Sequence, residues 1–166
     1  MATLADNPFA ALTIVVAPAV LTNASSVLCL GTGNRIARVV DRTRVLNAEL
    51  ATFEPDDPRR EATLRQLTRL RVRGHLLLRA LRFLYTSIGS FAAAALVSII
   101  GAVIATQTGD FTFHAFALFG LAVGTIGVTG LVVGCTMMVR ETGLAVEFLS
   151  DEIDAAQHHA SPGEYA

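Results

Sequence analysis

Residues 111–139 read FTFHAFALFGLAVGTIGVTGLVVGCTMMV, an unbroken stretch with no acid, lysine or arginine. As a helix it is about 43 Å long at 1.5 Å per residue, more than the ~30 Å hydrocarbon layer requires. Runs of this length without charge are too long for ordinary core helices and read as membrane spans. Working backward along the chain, residues 83–109 are equally free of charge, and so are residues 7–34. Three such runs in 166 residues, with 52% hydrophobic and 16% charged content, exclude an ordinary soluble enzyme. The expected fold is all-α: one integral membrane domain over residues 1–166. Its spans lie near 8–30, 83–106 and 111–139.

The charges sit between and after these runs. All thirteen basic residues are arginine, and twelve fall between Arg35 and Arg82 beside six acids, a net +6 for that region. From Arg140 onward one arginine faces six acids, a net −5. The overall −1 thus hides a strongly dipolar chain. Arginines flanking spans mark the cytoplasmic side. That places residues 34–82 and the acidic tail, 140–166, in the cytoplasm, and the N-terminus and the Thr108-Gly109-Asp110 turn outside. The first span lacks the basic leading region of a cleaved signal peptide. Absence of lysine together with abundant Ala, Val, Gly and Arg fits a GC-rich bacterial genome and carries no further inference.

Span one is the most polar. Pro18 removes a backbone donor and is expected to kink or locally unwind the helix. Thr22, Asn23, Ser25, Ser26, Cys29 and Thr32 follow it, with Thr22, Ser25/Ser26, Cys29 and Thr32/Gly33 sharing a face. A separate helix is expected from about Asn34 to Phe53, with Ile36, Val39/Val40, Leu46, Leu50 and Phe53 as an incomplete apolar stripe. Asp41 lies three residues from both Arg38 and Arg44, and Arg35 and Arg42 complete the charged surface. In Glu54-Pro55-Asp56-Asp57-Pro58, Asp57 suits an N-cap and Pro58 the first helical position. The second arm carries Leu64, Leu67, Leu70, Leu77/Leu78 and Leu81 on one face. Arg65, Arg69 and Arg73 align on another, with Glu61 within reach of Arg65. No proline separates this arm from span two, so Pro58 to Thr106 is expected as one helix of about 70 Å. Ser90, Ala94, Ser98 and Ala102 in span two permit close helix approach. Gly120/Gly124 and Gly130/Gly134, with Gly127 between, do the same in span three. An acidic helix to about Gln157 is expected after Arg140.

Two readings of the polar residues in span one stand side by side. Thr22, Asn23 and Ser26 line a pore, with a helix broken at Pro18 exposing carbonyls. Alternatively, their hydroxyls bond back to their own helix and hold it to its neighbours. His114 at the outer mouth has two readings, a group that titrates near neutral pH and gates, or an incidental interfacial histidine. His158 and His159, two adjacent histidines in the tail, fall short of the four ligands of a usual structural metal site. The arginine hairpin has three readings: contact with anionic lipid, contact with nucleic acid, or pairing with the protein's own acidic tail. Nucleic acid is disfavoured, since no aromatic set is interleaved with the arginines. The +6 and −5 balance favours tail pairing, because the planar guanidinium meets carboxylates bidentately. No catalytic motif, metal-ligand spacing or cofactor signature is present. The spans hold no acid, lysine or arginine for a proton relay.

The strings Ala17-Pro18-Ala19-Val20-Leu21 and Asn34-Arg35-Ile36-Ala37-Arg38-Val39-Val40-Asp41-Arg42-Thr43-Arg44-Val45-Leu46 resemble a bacterial membrane family. It is catalogued only as domain of unknown function 2721. Span spacing and the Arg- and Leu-rich second arm extend the resemblance over most of the chain; the acidic tail lies outside it. The resemblance implies three-span inner-membrane proteins of unassigned activity and supplies no catalytic residues. The expected function is a small homo-oligomeric pore with span one on its axis. The rival is a non-conducting adaptor that presents the arginine hairpin to a cytosolic protein or to membrane lipid.

Overall fold

A computed structural model describes the backbone of residues 8–105 and 110–160. Side-chain surroundings are described for 16–101, 103–104 and 114–146. Three α-helices make up the described chain: α1, Pro8–Thr52; α2, Pro58–Ala105; and α3, Asp110–Ala160. At 1.5 Å per residue they are about 67, 72 and 76 Å long, and each is apolar enough over part of its length to cross a membrane.

The expected local unwinding at Pro18 and the separate helix from Asn34 are corrected. The α-helix runs unbroken through Pro18 and through Gly31-Thr32-Gly33, so span one and the first hairpin arm form one rod. The donor that Pro18 lacks is one bond in a helix of 45 residues, a local loss that the flanking turns bridge. The glycines between the two expected segments have open space around them and retain helical backbone. In the same way α2 joins the second arm to span two, and α3 carries span three into the acidic segment without interruption.

Helix α2 is the centre of the bundle. It packs along both neighbours, whereas α1 and α3 meet each other over a short stretch only. Along each helix one row of buried and half-buried positions runs in steps of three and four, with further half-buried residues beside it. On α1 they are Thr22, Ser25, Cys29, Thr32, Ile36, Val39, Thr43, Leu46 and Leu50. On the α3-facing side of α2 they are Leu77, Ala80, Leu84, Ser87, Phe91, Ala94, Ser98 and Gly101, and on α3 Gly120, Val123, Gly127, Gly130, Gly134, Met137 and Glu141. A seam with this 3.5-residue mean period is that of helices wound left-handedly about each other. Opposite it, Val20, Val27, Leu30, Leu96, Ile99, Leu118, Leu121, Ile126 and Val132 are exposed. Aliphatic side chains in such numbers, on segments without charge, form the bilayer-facing surface.

The seam meets the expected packing rows in part, and the side chain of Ala102 lies outside the described ones. A strict i, i+4 row advances 400° per step against a 360° turn, so it drifts off a 3.5-residue seam within a few turns. Ala94 and Ser98 lie on the seam, but Ser90 lies beside it, and Ser87 and Phe91 take the closest positions. On α3, Gly127, Gly130 and Gly134 approach α2 directly. A Cβ on Gly127 would lie 2.7 Å from the Phe91 ring, and one on Gly130 would lie 2.7 Å from Ser87 Oγ and 3.2 Å from the Phe83 carbonyl. Gly120 makes ordinary contact with Val97, and Gly124 faces open space.

Between α1 and α2 the expected N-cap is in place. Asp57 Oδ1 accepts the Arg59 N–H at 2.8 Å, and the Arg59 guanidinium grips the same carboxylate. The hydrogen bond from the Arg59 side chain, with the backbone bond, holds the Asp57 carboxyl below the usual carboxylate range. Arg59 also lies 5.0 Å from the centre of the Phe53 ring, tying the two ends of the turn.

Candidate functional site

Charges meet in the bundle where the uncharged runs end. Glu141, two residues past span three, occupies the seam position that follows Gly134 and Met137 and is 2% exposed. An isolated buried carboxylate is costly, so its partners decide whether the position is tolerable. Arg35 from α1 donates from Nη1 to Oε2 at 3.1 Å. Arg73 from α2 donates from Nε and Nη2 to Oε1 at 2.9 and 2.7 Å. Arg35 donates as well to Thr142 Oγ1 at 2.9 Å, and the Thr142 hydroxyl donates in turn to the Met138 carbonyl at 3.0 Å. One turn nearer the membrane core, the Thr32 hydroxyl, bonded to the Leu28 carbonyl, lies 3.2 Å from Met138 Sδ. These contacts fasten α1 to α3 and place all three helices on one carboxylate.

A cleft of about 400 Å³ opens at the clamp between α1 and α3. Arg35, Arg38 and Arg42 form one wall and Leu70 and Arg73 the floor, while Glu141, Thr142 and Ala145 close the far side. Arg38 and Arg42 are exposed and, among the described residues, belong to no ion pair.

The other residues expected to matter are scattered. Arg44 reaches Asp41 at a loose 3.9 Å with both side chains in the open, a contact worth little. Arg65 pairs with Glu61, whose carboxyl it holds below the usual range through their side-chain hydrogen bond. Arg65, Arg69 and Arg73 do not act together: Arg73 turns inward to the clamp, whereas Arg65 and Arg69 are exposed. Thr22 is half-buried and donates to the Pro18 carbonyl, and Ser26 is exposed and donates to the Thr22 carbonyl. Asn23 is exposed on the outer surface of α1, with no hydrogen-bond partner among the described residues. Cys29 and Cys135 are both free thiols. The side chains of Glu147 to Gln157 and of His158 and His159 lie outside the described ones, so the expected docking of that part of the tail does too.

Sequence reasoning missed Glu141 as a site residue because it counted all six tail acids together. The available signal was its register: it continues the apolar seam of α3 by seven residues from Gly134.

No curated protein and no solved structure matches the chain. Three of the chain's own helices are long and apolar enough to cross a membrane. Residues 15–150 match the family described as a protein of unknown function (DUF2721), and with most of its length covered by that match the chain belongs to this family.

Proposed function

We infer that the chain is a non-enzymatic scaffold of the bacterial inner membrane. Three spans hold a stiff arginine-rich helical hairpin on the cytoplasmic side, where it meets an acidic protein surface or the anionic bilayer. One observation carries this reading: Glu141 joins Arg35 and Arg73 at the base of the hairpin. A hairpin continuous with two spans and clamped to the third stands at a fixed angle to the membrane. That is the property a docking platform needs and a pore does not. The sidedness follows from the twelve arginines between Arg35 and Arg82.

A homo-oligomeric pore is the second reading, and Asn23 favours it. An amide facing outward from an apolar span leaves several polar groups to satisfy, and a second copy is a ready source of partners. Against it stand the Thr22 and Ser26 hydroxyls, which are already bonded to their own helix.

The test is ion flux through proteoliposomes holding the full chain, with subunit number measured by native mass spectrometry. A scaffold gives no flux above empty vesicles. Flux from a ring of four or more subunits, abolished when Thr22, Asn23 and Ser26 are replaced by leucine, would replace the scaffold with the pore.

A further inference from the structure

We propose that the cleft between α1 and α3 is a binding site for the phosphate headgroup of an anionic membrane lipid. The proposal rests on the three-span reading and not on the scaffold role, which the flux assay tests separately. Four arginines line the cleft, and its one carboxylate, Glu141, has both oxygens occupied by Arg35 and Arg73. The lining therefore keeps a formal charge of +3. Arg38 and Arg42 follow Arg35 at three and seven residues, so all three project from one side of α1. Being in no ion pair among the described residues, Arg38 and Arg42 keep their guanidinium donors available. The planar fork of arginine matches two phosphate oxygens at once. A volume of about 400 Å³ lies within the range of small-molecule sites.

The position of the cleft selects the source of the phosphate. Arg35 directly follows the uncharged run 7–34, and Glu141 lies two residues beyond the run 111–139. The mouth therefore sits at the depth of lipid headgroups. A basic recess between helices at this depth suits an anionic headgroup, with each arginine near the surface adding severalfold to affinity. Glu141 acts here as a positioning residue: it holds Arg35 and Arg73 in place and does not itself meet the phosphate.

Full-length protein in neutral detergent is titrated with phosphatidylglycerol, phosphatidylcholine and inorganic phosphate, and native mass spectrometry counts bound molecules. One phosphatidylglycerol per chain should bind at least about tenfold more tightly than phosphatidylcholine, which carries the same phosphate but no net charge. Arg38→Gln with Arg42→Gln should weaken it about 30-fold. Arg59→Gln with Arg65→Gln, an equal loss of charge at the far end of the hairpin, should leave it within about twofold. Circular dichroism and the melting midpoint verify that both doubles remain folded. Equal affinity for the two lipids, or equal loss in both doubles, would overturn the site. Displacement of the lipid by equimolar inorganic phosphate would overturn the lipid source, and so would a cleft already filled by the acidic tail, seen as tight binding gained only when residues 147–166 are deleted.

Discussion

Removing the two sides of the Glu141 clamp should not cost the same. In Glu141→Ala three charge-assisted bonds are lost. The arginines left behind are 43% and 29% exposed, so each can turn to water. The cost then approaches that of one charged hydrogen bond, about 1.5–3 kcal/mol. In Arg73→Leu the carboxylate stays 2% exposed with a single bond at 3.1 Å from Arg35. Breaking a buried pair in this direction costs about 3–5 kcal/mol, since the charge has nowhere to go. Arg35→Leu should cost least, about 1 kcal/mol, because Arg73 still places two bonds on Oε1. Arg73→Leu with Glu141→Ala should cost about 1–3 kcal/mol less than the sum of the two singles, the coupling expected of residues in contact. Reversible unfolding in mixed micelles, followed by helical circular dichroism, measures all four. If Glu141→Ala costs as much as Arg73→Leu, or the double is merely additive, the buried-charge reasoning fails.

Three further outcomes are expected. Gly130→Ala should cost about 1–3 kcal/mol by the same assay, because the new Cβ meets Ser87 and an immovable Phe83 carbonyl; Gly124→Ala, facing open space, should change stability by less than about 0.5 kcal/mol. The Asp57 carboxyl is depressed by Arg59, so its contribution to the first turn of α2 is fully present above the unfolded value of ~3.9 and is lost only as pH falls through its lower folded value. Hydrogen exchange at residues 59–62, corrected for intrinsic rates, should show unchanged protection between pH 7 and pH 5, and loss in that window would refute the cap. If a second copy satisfies Asn23, Asn23→Leu should lower the mean subunit number seen by native mass spectrometry, and an unchanged distribution would remove that argument for assembly.

Much of this architecture was legible because membrane spans announce themselves by the absence of charge. The runs 83–109 and 111–139 needed no knowledge of packing. Local chemistry was legible too: Asp57-Pro58 marks a helix start by capping geometry alone, and Glu61 and Arg65 meet because they are four apart. The rest depended on register between helices. Ser90 joined the expected row by its spacing of four, and only the 3.5-residue seam puts Ser87 at the close approach instead. Arg73 looked like one member of an exposed row with Arg65 and Arg69, yet the same seam turns it toward α3. The net charges +6 and −5 indicated that hairpin and tail attract. They could not select Glu141, because which acid is buried is set by its phase on α3 and not by its charge. Pro18 misled in the opposite sense: its local effect was read as a break, whereas the helix continues through it.

The measurement that bears most directly on the account is cysteine labelling from outside intact cells. Cys29 and Cys135 are first replaced by serine, and single cysteines are then introduced at Thr108, Arg69 and Gln157. A membrane-impermeant maleimide should label position 108 in intact cells, and positions 69 and 157 only after permeabilisation. Labelling of position 69 from outside would contradict the cytoplasmic hairpin, and with it the scaffold.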